Sequence, residues 1–102
     1  MKIIEQLCDM INEELDDAEK YATCALHHKD DNKQLADTFY TLSTEEIKHS
    51  NMLHEQVVSI INEYKKAHGN PPVEMMAVYD YLHRKSMEHA ADIRAMQMTY
   101  KE

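Results

Sequence analysis

The chain has 102 residues, 43% of them hydrophobic and 29% charged, and a formal net charge of −8. This is the balance of a single small globular domain, whose modest core is commonly enlarged by oligomerisation. The acidity excludes a nucleic-acid surface, which needs a basic stripe, and no apolar run approaches the length of a membrane span.

The first predicted element is a helix from about Ile3 to His27. Ile4, Leu7, Ile11, Ala18, Tyr21 and Ala25 recur along it at helical spacing. Its start, "MKIIEQLCDM", is too polar for a signal peptide. Cys8 and Cys24 fall on this helix roughly 24 Å apart, so they cannot pair with each other within it. The sequence has no C-x-x-C, which removes a zinc ribbon or rubredoxin-type centre. The cytoplasm is the default compartment.

The segment "HHKDDNK" interrupts the pattern, and Asp30, Asp31 and Asn32 are candidate N-caps for the next helix. That second helix is predicted from about Lys33 to Ala67. Its stripe reads Leu35, Phe39, Leu42, Glu46, His49, Leu53, Val57, Ile60. The chain's single glycine and both prolines then fall together in "HGNPP". Gly69 suits a left-handed cap and the prolines end the helix. A third helix is predicted from about Pro72, in its first turn, to Tyr100. Met75, Val78, Leu82, Ile93, Met96 and Tyr100 face inward. The expected architecture is all-α: an antiparallel three-helix protein built on a long helical hairpin. The second helix, at roughly 52 Å, is longer than so small a core needs, and an interface with another chain accounts for the excess.

Three polar residues break the apolar stripes: Glu14 on the first helix, Glu46 and His49 on the second. In a hairpin turning near residue 30, residues whose numbers add to about 60 lie at one height. That pairs Glu14 with Glu46 and Ile11 with His49. Unpaired, such groups are costly to bury. A metal ion satisfies them together, and two carboxylates with an imidazole suit iron or manganese. Glu-x-x-His alone arises roughly once by chance in a chain of this composition, so the weight rests on the matched heights. His27, His28, His54 and His68 read as solvated, Glu45 as a surface acid or a base just outside the ligands, and Asp80 and His83 of "DYLH" as pointing away from the stripe. The eight methionines read as adaptable filler.

"EELDDAEKY" (Glu13 to Tyr21) followed by "EEIKH" (Glu45 to His49) resembles the ferritin-like superfamily, in particular its rubrerythrin branch and the small encapsulated ferritins. In those proteins one helix brings a Glu with a Tyr seven residues later, and the next brings E-E-x-x-H. Glu14, Tyr21, Glu46 and His49 stand at the matching positions. The resemblance covers roughly residues 5–60. It implies a carboxylate-bridged di-iron centre acting on iron(II) with oxygen or peroxide; Tyr21 is the candidate catalytic residue, either hydrogen-bonded to a ligand carboxylate or simply packed with its hydroxyl at an edge.

A full ferritin-like bundle has four helices and twice this ligand set. One arrangement that completes it is a two-fold homodimer, with four Glu and two His across the interface. The other keeps the site within one chain, the third helix adding His89 and Asp92, which come near the right height; Glu88 points further out. The competing reading is a non-catalytic helical oligomer with a structural metal such as zinc or manganese, or with none.

Overall fold

The computed structural model describes residues 1–102 and consists of three helices: α1 (Lys2–His28), α2 (Lys33–His68) and α3 (Val73–Lys101). Each predicted helix is present, and local chemistry sets the ends. Asn32 caps α2, its side chain accepting from the Leu35 amide at 3.1 Å. Asp31 instead pairs with His28 across the turn at 3.1 Å.

Gly69 closes α2. Its amide donates to the Lys65 carbonyl at 2.9 Å, with φ 77° and ψ −163°. Positive φ with extended ψ is a region that essentially only glycine enters. Nothing lies within 4 Å of where a Cβ would stand, so Gly69→Ala probes backbone strain alone. Its expected cost is about 1–3 kcal/mol, read as a lowered denaturation midpoint. An unchanged midpoint would contradict this. Pro72 does not enter the first turn of α3 as the sequence suggests. Its ψ of 141° makes it the N-cap, and the helix starts at Val73.

Helix α1 is central. It packs along both α2 and α3, while α3 only brushes α2. The molecule is a rod of 56 × 19 × 17 Å. α2, with 36 residues or about 54 Å, sets its length, and beyond Ile61 carries no buried residue. The hairpin register matches the predicted one. Tyr21 stacks on Phe39 with ring centroids 6.2 Å apart. The buried Ser43 hydroxyl donates to the Ala18 carbonyl at 2.7 Å.

The depth of burial departs from the predicted stripes. The buried seam of α1 is Ile4, Cys8, Ile11, Leu15, Ala18, Ala22 and Ala25; that of α2 is Ala36, Ser43, Ile47, Ser50, Val57 and Ile61. Many of these are small, which lets two backbones approach closely. Leu7, Tyr21, Phe39, Leu42, Leu53 and Ile60 are only half-buried. They form a line one step round, along the edge of the hairpin. Helix α3 touches other faces, through Asn12 and Glu19 of α1 and Tyr40 and His54 of α2. The bulky edge therefore has no helix of this chain over it.

Helix α3 buries a narrow strip. Ala90 and Ile93 join the main core, and Tyr100 joins a second cluster with Ala25 and Ala36. Met75, Leu82 and Met96 are half-buried. Val78, expected inside, is 59% exposed, because a helix resting mainly on α1 has no second wall there.

Candidate metal centre

Glu14 and Glu46 project from facing positions on α1 and α2, both half-buried. Each adjoins a buried neighbour, Leu15 and Ile47, which fixes its backbone in the seam. His49, one turn beyond Glu46, reaches back over them. Its Nδ1 lies 3.5 Å from a Glu14 oxygen and 3.6 Å from a Glu46 oxygen. One ligand atom from each of the three falls within 4.8 Å of the others. His49 is the outermost, its side chain 53% exposed against 18% for Glu46. It therefore lies on the outer flank of α2 rather than in the core, as the sequence stripe placed it.

Two carboxylates held this close, half out of water, repel each other, and a cation between them would offset that repulsion. The donor set is two carboxylates and one imidazole, carried on two rigid helices with the outer side open. Those donors suit iron or manganese, and zinc accepts the same types.

The other predicted site residues lie apart from this group. Tyr21 shares the edge line of α1 with Glu14, about 10 Å further along the axis. Its ring packs on Phe39, which in turn stacks on His28 at 6.1 Å. It makes no hydrogen bond to Glu14 or Glu46. His89 Nε2 lies 3.3 Å from a Glu19 oxygen, and Asp16 joins that pair in a second, more exposed grouping. Asp92 is exposed and joins neither. The height match for His89 and Asp92 holds along the rod but not around it: α3 rests on the side of α1 that carries Glu19, not the side that carries Glu14.

Two histidines read as solvated or outward are neither. His54 and His83 are half-buried and stacked on each other, with centroids 4.5 Å apart. His28 is also half-buried, against Phe39. His27 and His68 are exposed as expected. The His54–His83 contact depends on how α3 sits, which helical spacing within one element does not report. The i, i+3 pair Asp16 and Glu19 was the readable half of the second grouping. Both cysteines are free, Cys8 buried and Cys24 half-buried.

No protein-family model, curated protein or solved structure matches the chain. No helix is long and apolar enough to cross a membrane.

Proposed function

We propose that this chain is a ferritin-like iron-binding protein, with a two-iron centre shared between two copies that oxidises iron(II) or reduces peroxide. The observation that carries the reading is the convergence of Glu14, Glu46 and His49 from two helices onto one point. Three donors are half of what a pair of ions needs. The bulky edge beside them, with Leu7, Tyr21, Phe39 and Leu53, is left half-buried by this chain alone. A second copy laid across it by a two-fold axis buries that edge and brings a second Glu14, Glu46 and His49 opposite the first.

In this reading Glu14 and Glu46 would hold the ions through their carboxylates, and His49 would add an imidazole nitrogen from the outer side. Leu15 and Ile47 hold the two carboxylates in register and keep water from beneath. Iron, when bound, supplies one-electron chemistry toward oxygen or peroxide. Tyr21 stands along the same edge, about 10 Å from Glu14 along the axis and packed on Phe39.

The direct test is iron(II) oxidation by the purified protein, expected to run faster than in buffer. A rate equal to buffer, with metal still bound, would replace this reading with a structural zinc or manganese staple between α1 and α2. The exposure of His49 is the observation that favours that second reading. Metal uptake is expected to weaken as pH falls, because protons compete for the imidazole and both carboxylates. Equal uptake at acidic and neutral pH, measured by elemental analysis, would contradict these ligands.

A further inference from the structure

Helix α3 reaches α2 through few side chains, and one of those meetings joins two histidines. His54 of α2 and His83 of α3 stack with centroids 4.5 Å apart and planes 14° from parallel. Tyr79, one turn earlier on α3, continues the stack at 5.8 Å. These rings line a narrow cavity of about 50 Å³ between the three helices, together with Cys8, Leu15 and Leu82.

The two halves of α3 are held differently. The C-terminal half is anchored by buried Ile93 and Tyr100, by Gln97 donating to Ser43 at 2.9 Å, and by Tyr100 stacking on Tyr40 at 5.2 Å. From Val73 to His89 no residue is fully buried, and Val78, Tyr81 and Met87 are exposed. A segment with so few buried contacts opens locally at low cost.

We propose that the His54–His83 stack is a proton-operated latch: with His54 neutral it holds the N-terminal half of α3 against the hairpin, and on protonation of His54 that half lifts and widens the cavity around Cys8. Neutral imidazoles stack favourably, whereas a charge on half-buried His54 costs solvation that the stacked ring beside it does not restore. The ion-paired histidines of the chain are His28, His49 and His89, so neither latch ring forms an ion pair, and the carboxylate acting on His54 is the more distant Glu55. The surrounding groups are of both signs. α1 presents the Cys8 thiol, with Asp9 acting on it. α2 presents Glu55, which favours charge on His54. α3 presents Arg94 and the Tyr79 phenol, with Asp80 beside that phenol, while Arg84 is drawn off over the Tyr81 ring.

Burial is the main influence on His54 and holds its proton affinity below the ordinary imidazole value; neighbouring His83 lowers it further and Glu55 opposes. The closed form therefore binds fewer protons than the open one. Its stability is full above about pH 6.5 and is lost as pH falls through that value and below. The latch faces α3, away from Glu14, Glu46 and His49, and does not rest on the metal reading.

Cys8 reports the opening, since it is buried and lines the cavity. The test uses the full chain carrying Cys24→Ala. Labelling of Cys8 by dithiodipyridine is timed in neutral and in mildly acidic buffer. Each rate is divided by the rate in denaturant at the same pH, which cancels the thiol's own pH dependence. Protection of Cys8 is expected to fall by about tenfold or more in acid, while the amides of α1 and α2 keep their hydrogen-exchange protection. His54→Phe keeps a ring without a charge and is expected to hold Cys8 protected at both pH values. His54→Gln, which removes the charge and the ring together, gives the same readout should the Phe variant not fold. Equal protection of the unmodified latch at both pH values would overturn the proposal. So would an undiminished acid loss in the folded variant, or loss of protection across the whole chain.

Discussion

Glu46→Ala and His49→Ala are each expected to abolish metal uptake. Losing even an outer hydrogen-bond partner of a ligand costs about 10–100-fold in affinity, and a direct donor costs more. Neither change is expected to destabilise the metal-free protein by much, since the His49 side chain is 53% exposed and Glu46 is one of two facing carboxylates. Thermal melts with and without added metal, beside elemental analysis, read both effects. Metal content in Glu46→Ala equal to that of the unaltered protein would place the site elsewhere.

Leu15→Ala is expected to have the largest effect on stability. Leu15 is 1% exposed, in the main core with Ile47, and stands next to Glu14. Truncating a buried leucine costs about 2–5 kcal/mol, a large part of the roughly 5–15 kcal/mol that holds a domain folded. The melting temperature is expected to fall by about 8–40 °C, at about 4–8 °C per kcal/mol for a domain of this size. The donors themselves are untouched, so the folded fraction is expected to bind metal and to gain stability from it. A loss below about 1 kcal/mol would mean that the seam around Leu15 is already loosely packed.

The hairpin was legible because it depends on local signals: helical periodicity, one capping asparagine and one glycine with two prolines. Register came from the short turn, and it brought Glu14, Glu46 and His49 together. The buried seam was less legible. Ala18, Ala22, Ala25, Ala36 and Ser43 fill it because close helix approach needs small side chains, and such residues carry little hydrophobic signal. The eye is drawn instead to Leu7, Tyr21, Phe39 and Leu53, which lie at the hairpin's open edge. The placement of α3 was least legible. Its apolar residues are scattered round the helix, and height along the rod does not fix which side of α1 it takes. That choice separates His89 and Asp92 from the carboxylate pair and sets His83 against His54.

If Glu14, Glu46 and His49 are half of a metal centre completed by a second copy, elemental analysis of iron-loaded protein fractionated by size will show it. About one iron per chain is expected, eluting with a dimer or larger assembly and lost together with it in His49→Ala. Protein that takes up no iron, manganese or zinc would contradict a metal centre, and two irons per chain in a monomer would contradict the shared one.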